Sequence, residues 1–176
     1  PAVGAVGAGP PSPAAGVDTT DPSAQESTVT LTIAVQTPDG GSVSGADLTA
    51  SWENGSATAT TAGNGRAFVD VPAGSTVEIR IDHSEYVRNA PFVVEDADEE
   101  TVGVTVRQRG SLTVSAEDDG GDPVSDARVI ARADGEIVVN GRTNDDGRFT
   151  TGTIEQREYS LTVVKQGYYR VVRDVQ

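Results

Sequence analysis

The sequence predicts an all-β protein made of two tandem β-sandwiches behind an extended N-terminal leader, and three observations carry this prediction. Landmark residues recur about 82 positions apart, which is a domain-length period and indicates two copies of one module. Apolar and polar residues alternate along most segments after the leader, as in strands with one buried face. No stretch has a convincing helical period.

Turn and core residues keep the repeat in register. Gly65 returns as Gly147 and Tyr86 returns as Tyr168, so both separations are 82 residues (147 − 65 and 168 − 86). Because such positions shape a fold, the repeat describes architecture and says little about chemistry. The predicted organisation is a leader at 1–27, a first β-sandwich at 28–109 and a second β-sandwich at 110–176.

About seven short strands are predicted in the first sandwich. The first of them alternates Val29, Leu31, Ile33 and Val35 with polar or small residues. An Asn-Gly pair at Asn54 suits a tight hairpin, because such a turn needs positive φ at its central residues. The strands are expected at 29–35, 46–52, 57–61, 66–71, 76–81, 87–94 and 102–106, and the series repeats from residue 112.

The leader differs from everything after it. Residues 1–20 contain only Pro, Ala, Val, Gly, Ser, Asp and Thr and have no helix or strand period, so we expect an extended or disordered segment. The chain starts at Pro1 rather than Met, as in a processed protein or a fragment. The joint between the sandwiches, 107–111, is too short for a flexible tether, which predicts a semi-rigid rod.

The second copy ends before the first copy does. On the 82-residue offset, Gln176 corresponds to Val94 (176 − 82), so no counterpart of the strand at 102–106 follows. We expect an open edge there, which another strand can occupy; simple truncation is the alternative. The candidates for strand exchange are Ala2, Val3 and Val6 in the leader and Val171, Val172 and Val175 near the C-terminus.

The charge balance is strongly acidic. The 27 Asp and Glu residues against 13 Lys and Arg residues give a net charge of −14, and Lys165 is the only lysine. Binding nucleic acid needs a basic surface, so such a partner is disfavoured. Surplus carboxylates with Arg in place of Lys resemble haloarchaeal proteins, whose acidic surface stays hydrated in concentrated salt. An ordinary acidic surface protein is the alternative.

Residues for catalysis are scarce. Cysteine is absent, which excludes disulfides, thiolate catalysis and thiolate metal ligands. The single histidine, His83, has Asp82 and Ser84 as neighbours, but adjacent strand residues face opposite sides and cannot form a nucleophile–base relay. No apolar run approaches the roughly 18 residues of a membrane span. We expect no enzymatic activity, no cofactor, no bound metal and no membrane span.

Two ligand questions stay open. The acidic turns at 117–122 and 144–146 offer oxygen atoms of the kind that Ca²⁺ prefers, although turn Asp and Asn residues usually bond their own backbone. Asn54 begins the chain's one Asn-x-Ser/Thr sequon, on a hairpin tip that we expect to be exposed. In a secreted protein this makes Asn54 a candidate N-glycan acceptor.

Four motifs in the second copy resemble a known family. They are Pro123–Val129, Thr143–Phe149, Tyr159–Val163 and Gly167–Tyr168. In this order they resemble the carboxypeptidase regulatory-like domain, closely over 111–176 and more loosely over 28–109. The resemblance implies a seven-stranded transthyretin-like or immunoglobulin-like β-sandwich. It also implies a structural or adhesive module of secreted and cell-surface proteins, without catalytic residues of its own.

The sequence thus predicts an extracellular structural or adhesion protein of the cell surface. Its partners would be further copies of itself or other surface proteins, and donor-strand completion with the leader would assemble it into a filament, pilus or surface layer. The alternatives are an accessory module of a larger secreted hydrolase and a carbohydrate- or Ca²⁺-binding module.

Overall fold

A computed structural model describes residues 27–98 and 100–176, and this part of the chain contains sixteen strands and no helix. The all-β prediction is therefore confirmed. The strands before the joint are β1 (Thr28–Gln36), β2 (Asp47–Trp52), β3 (Gly55–Thr60), β4 (Arg66–Pro72), β5 (Val77–Asp82), β6 (Tyr86–Val87), β7 (Phe92–Val94) and β8 (Thr101–Thr105). Apart from Ser27, the predicted leader lies outside the described residues.

The remaining strands follow the joint. They are β9 (Arg107–Gly110), β10 (Thr113–Ser115), β11 (Arg128–Ala133), β12 (Glu136–Arg142), β13 (Arg148–Thr150), β14 (Ile154–Glu155), β15 (Tyr159–Val164) and β16 (Val171–Val175).

The first sandwich consists of two facing sheets. One has the strand order β4-β1-β8 and the other has the order β3-β2-β5-β7. All neighbours are antiparallel except β1 and β8, which run parallel with Val35 opposite Val104. Inward side chains of both sheets, such as Leu31 and Ile79, form one core and are fully buried. The side chains that fill this core are therefore the apolar members of the apolar–polar alternation in the sequence.

The second sandwich repeats this arrangement with one strand fewer. A two-stranded sheet, β10-β13, faces a four-stranded sheet, β12-β11-β15-β16. Its core is smaller, with eight buried apolar residues in the cluster against sixteen in the first sandwich, as far as the described residues show. The two-sandwich fold class is thus confirmed, while the boundary positions proposed between leader and sandwiches remain a prediction.

The joint between the sandwiches is itself a strand. β9 pairs with β6 through Tyr86 and Val87 and with β14 through Ile154 and Glu155. The sequence predicted a short joint between two strands at 107–111 and one continuous strand at 87–94. Instead β6 leaves the first sandwich to join β9, and Pro91, which has no backbone N–H, lies between β6 and β7. Both differences arise because these strands pair with segments distant along the chain. Local periodicity does not record such pairing.

The offset between copies changes from 81 to 82 within one hairpin. Gly40 and Gly121 are 81 residues apart (121 − 40), and both have positive φ in the turn after the first strand. Beyond the hairpin, Gly65 and Gly147 are 82 residues apart (147 − 65). The β11–β12 ladder has a bulge in which Ala131 opposes Val139 and the next residue opposes Ile137, so one residue is unpaired. A single inserted residue is what a bulge accommodates.

Candidate functional site

The free edge of β10 is the place where the two sandwiches differ most. In the first sandwich β1 lies between β4 and β8, whereas β10 has β13 as its one partner among the described residues. Equivalent residues of β1 and β10 lie 81 positions apart, so Ala116 takes the place of Val35. Each donates its backbone N–H to the carbonyl of the glycine just before the partner strand, Val35 to Gly65 before β4 and Ala116 to Gly147 before β13, over 2.8 Å.

β8 shows what an occupied edge looks like. Val104 and Val106 are fully buried in the core between the sheets. The edge bonds include Val106 N to Gln36 O and Thr32 N to Glu100 O, each 2.9 Å long. The strand therefore contributes both apolar burial and backbone hydrogen bonds to the first sandwich.

The corresponding edge of β10 has its backbone groups aligned in the same way. In an antiparallel pair, alternate residues bond to the partner strand, and Leu112 and Ala116 bond to the β13 side. The intervening Thr113, Ser115 and Glu117 thus direct their N–H and C=O groups to the side that β8 covers in the first sandwich. All three are exposed.

An open groove of about 410 Å³ runs along this edge. Its apolar lining comes from β10, β15 and β16, with Val114, Leu161, Val163, Val171 and Val175 among the residues. The core here is less well covered than in the first sandwich. Val114 is 6% exposed and Leu161 is 8% exposed, whereas their counterparts Ile33 and Ile79 are both 0% exposed.

The rim of the groove is polar and aromatic. Lys165 Nζ donates to the backbone oxygen of Ser125 over 2.6 Å and lies 5.8 Å from the ring centre of Tyr168. Tyr169, which also lines the groove, is 97% exposed. An apolar groove beside an open strand edge suits an extended peptide. Its main chain can hydrogen-bond to the edge, and every second side chain can pack into the groove.

Three of the predicted strand-exchange residues lie on β16. Val171 and Val175 line the groove, while Val172 is not among its lining residues, and Val171 and Val172 are about half exposed. β16 pairs with β15 through Val172 opposite Thr162. The other three candidates, Ala2, Val3 and Val6, lie outside the described residues.

The sequence predicted an open edge in the second sandwich without assigning that edge to one strand. It named residues of the leader and of the C-terminal segment, whereas the edge equivalent to the one that β8 covers in the first sandwich belongs to β10, some 60 residues before Val175 (175 − 115). A signal was available, because β10 is the repeat counterpart of β1, and β1 is the partner of β8.

Asn54, the glycan candidate, lies at an accessible hairpin tip. It follows Glu53 in the two-residue turn between β2 and β3, where Trp52 pairs with Gly55. Asn54 is exposed, which is the accessibility that a glycan acceptor needs.

A polar hub connects the two sandwiches at the junction. The backbone N–H of Asn89 donates to Glu155 Oε1 over 3.0 Å, and the Glu155 N–H donates to Asn89 Oδ1 over 2.8 Å. The hydroxyl of Tyr159 donates to the Glu155 carbonyl over 2.7 Å and accepts from Asn89 Nδ2 over 3.0 Å. Arg107 and Arg157 lie 3.7 and 3.6 Å from Glu155 Oε2, so the nearly buried carboxylate has two cationic neighbours.

Burial raises the pKa of the Tyr159 phenol above its ordinary value, and the hydrogen bond from Asn89 opposes part of that rise. The charged form of a buried phenol is poorly solvated, so the neutral hydroxyl is the form that fits this hub.

The other chemistry-bearing residues have local roles. His83 Nδ1 accepts the Glu85 N–H over 3.1 Å. Asp118 Oδ1 accepts from Gly120 N and Asp122 N, and Asn144 Oδ1 accepts the N–H of Asp146 in the same turn and of Arg148 at the start of β13. In the described ranges there is no group of three or more His, Cys, Asp or Glu placed to hold a metal ion. Nor does any helix there have the length and apolarity needed to cross a membrane.

Comparison with known proteins finds similarity in three-dimensional structure alone. No family model matches the sequence, and neither does any curated protein, so the carboxypeptidase regulatory-like resemblance stays an expectation. Similar solved structures include the Bacillus anthracis TIE protein (20% identity, TM-score 0.41), the Streptococcal ancillary pilin (17%, 0.38) and GBS52, the minor pilin of Streptococcus agalactiae (12%, 0.36).

The alignments cover 84%, 85% and 84% of this chain and 30%, 59% and 90% of those three chains, in the same order. This chain therefore spans less than two thirds of the length of the first two. Likeness at this level of identity and TM-score carries no argument about the function of this chain.

Proposed function

We propose that this chain is an extracellular structural or adhesion protein of the cell surface that assembles by strand addition to the free edge of β10. The donor would be the N-terminal leader, which contains Ala2, Val3 and Val6. The product would be a filament, pilus or surface layer. Further copies of the chain, or other surface proteins, would be the partners.

One observation carries the proposal. Two copies of the same sandwich occur in one chain, and the copy with a β8 strand buries Val104 and Val106 completely, while the other presents an apolar groove at the equivalent place. Fully burying a Val side chain contributes about 1.5–3 kcal/mol, so a strand that fills the groove gains affinity from the floor as well as from the edge.

The acidic composition and the Asn54 sequon support an external location. A net charge of −14 keeps a protein soluble and hydrated, in line with the haloarchaeal-type surface chemistry noted in the sequence. A glycan on Asn54 would lie on the first sandwich, away from the groove of the second, and would leave the edge of β10 free.

Deletion of the leader tests the proposal. We expect the 176-residue chain to form particles larger than a monomer in concentrated salt, and a variant without residues 1–26 to remain monomeric, as measured by light scattering and electron microscopy. Equal assembly by both proteins would refute the proposal.

A second variant tests the acceptor edge. Ser115→Pro removes a backbone N–H that faces the groove rather than β13, and proline is tolerated at edge positions of this kind. We expect this variant to fold and to stay monomeric. Ser115→Thr retains the N–H and is the matched control, which we expect to assemble like the parent chain.

A further inference from the structure

We propose that the strand completing the second sandwich comes from a second copy of this chain, runs parallel to β10, and directs Gly4, Val6 and Ala8 into the groove. This inference rests on the proposed function and adds the source, direction and register of the donor. The result is a polar, head-to-tail polymer.

The first sandwich supplies the direction and the register. β8 runs parallel to β1, with Ile33 opposite Val102 and Val35 opposite Val104. Val114 and Ala116 of the second sandwich are the counterparts of Ile33 and Val35. The donor residue equivalent to Val102 would therefore lie opposite Val114, and the one equivalent to Val104 opposite Ala116.

The leader carries a compatible alternation. Gly4, Val6 and Ala8 have the same two-residue spacing as Val102, Val104 and Val106, so the residues between them would face outward as Gly103 does. The inward side chains are smaller than those of β8 and bury less apolar surface, which predicts addition that is reversible and depends on concentration.

The position of Ser27, to which the leader is attached, distinguishes a donor in the same chain from one in a second copy. The carbonyl of Ser27 accepts from Ala73 N over 2.7 Å at the start of β1, and β1 then runs towards the junction, where Thr37 and Asp39 line a cleft with Tyr86 and Arg107. β9 ends with Gly110 opposite Ile154 at the junction, and β10 then pairs with β13 from Thr113 to Ser115, so β10 begins beside the junction and runs away from it. Ser27 thus lies at the far end of the first sandwich, about 30 Å from the junction at roughly 3.3 Å for each residue of β1.

A leader folding straight back along its own first sandwich would enter the edge of β10 antiparallel to it. To pair in parallel it would have to reverse direction after Ala8 before it returned along the first sandwich to Ser27. The leader of a copy stacked beyond the second sandwich enters in the parallel direction with no reversal. The parallel direction of the β1–β8 pair therefore favours a donor strand from a second copy.

Engineered disulfides test direction and source together, and the absence of cysteine from the chain gives a clean background. The parallel register puts Val3 opposite Thr113 and Gly7 opposite Glu117, while an antiparallel register about the same centre puts Gly7 opposite Thr113. Paired strand positions have the Cα separation that a disulfide needs. We would compare full chains carrying Thr113→Cys with Val3→Cys and chains carrying Thr113→Cys with Gly7→Cys.

We expect the Val3 variant to give, on mild oxidation, a ladder at multiples of the monomer mass on non-reducing gels, at least ten times more abundant than with the Gly7 variant. A ladder from the Gly7 variant would overturn the parallel direction. An intrachain disulfide in the Val3 variant, seen as a monomer of altered mobility, would overturn the second-copy source. Assembly that needs the leader but yields neither cross-link would overturn the register, whereas assembly without the leader would overturn the proposed function itself.

A matched pair of charge variants supplies an independent readout. Val6→Asp puts a carboxylate against the apolar floor, where an unpaired charge is costly, and Ala5→Asp puts the same charge on the outward face. We expect assembly to be lost with Val6→Asp and retained with Ala5→Asp. Loss of assembly with Ala5→Asp but not with Val6→Asp would contradict the proposal that Val6 faces the groove.

Discussion

At the scale of single residues, the repeat preserves a buried hydrogen-bonding device. Thr61 Oγ1 donates to Val43 O and accepts from Ala46 N, at 2.8 and 2.9 Å. Thr143 Oγ1 makes the same two bonds in the second sandwich, at 2.7 and 2.9 Å. Each threonine satisfies two backbone groups of an irregular segment that has no ladder partner, which explains why a hydroxyl recurs at this core position.

Four residues after each of these threonines lies a glycine that no other residue can replace, because a Cβ would clash with backbone and φ is positive. Gly147 has φ 68°, and a Cβ there would lie 2.4 Å from the backbone oxygen of Ala116. Gly65 is constrained in the same way by Val35 O at 2.7 Å. Only glycine fits such a close approach at positive φ.

Replacing Thr143 by Val tests the hydroxyl. The side chain keeps its shape but leaves Ala127 N and Val124 O without a partner, so we expect the free energy of unfolding to fall by about 2 kcal/mol, measured by urea denaturation. Thr58→Val, at an exposed position of β3, should change it by less than about 0.5 kcal/mol. Similar values for the two variants would show that the buried hydroxyl has no special role.

Tyr159 predicts an alkaline limit to stability. Its pKa in the folded protein is raised by burial, so its contribution is complete below the ordinary tyrosine value of about 10 and is lost as pH rises above it. We expect the stability difference between the parent chain and Tyr159→Phe to shrink as pH rises from about 10 to about 12, as followed by chemical denaturation. A difference that stays constant over this range would contradict the assigned shift.

At the scale of elements, the strands that alternation predicts are those that bury one face. The predicted strands at 29–35, 46–52 and 66–71 lie within β1, β2 and β4 or overlap them almost completely. β6, β9 and β14 are short or polar and have no such alternation. They form because β9 supplies backbone partners to β6 and β14, which alternation within each segment does not record.

Asn89 is expected to hold the junction together. Asn89→Ala removes the acceptor of the Glu155 N–H and the donor to the Tyr159 hydroxyl. We expect hydrogen exchange at the Glu155 amide to accelerate about tenfold, which corresponds to about 1.4 kcal/mol of lost protection and is within the usual range for an unpaired buried group. Asn140→Ala, at an exposed position of β12, is the control and should leave that amide unchanged. Unaltered exchange in Asn89→Ala would mean that β9 pairing alone fixes the joint.

At the scale of the whole molecule, charge dominates the response to solvent. Acidic side chains outnumber basic ones by 14 (27 − 13), and the closest ion pairs, Arg157 with Asp134 at 2.8 Å and Arg142 with Asp126 at 3.0 Å, leave most carboxylates to repel one another. Self-repulsion of this kind destabilises the compact state.

Stability should therefore rise with salt. Raising KCl from about 0.1 M to 1 M shortens the Debye length from about 10 Å to about 3 Å, and we expect the midpoint of thermal unfolding to increase. A triple variant, Asp119→Asn, Asp145→Asn and Asp174→Asn, carries less negative charge on exposed positions and should respond less to salt. A midpoint independent of salt would exclude self-repulsion as the controlling term.

The sequence by itself determined the strand class and the duplication, because local alternation and the repeat offset record them. The tertiary structure alone decided that 107–110 is a pairing strand, that Asn89 and Glu155 meet, and that β10 has one strand partner among the described residues where β1 has two. The physical reason is that backbone pairing joins segments distant along the chain. Side-chain alternation reports which face is buried, and only the folded chain shows which edge has a neighbour.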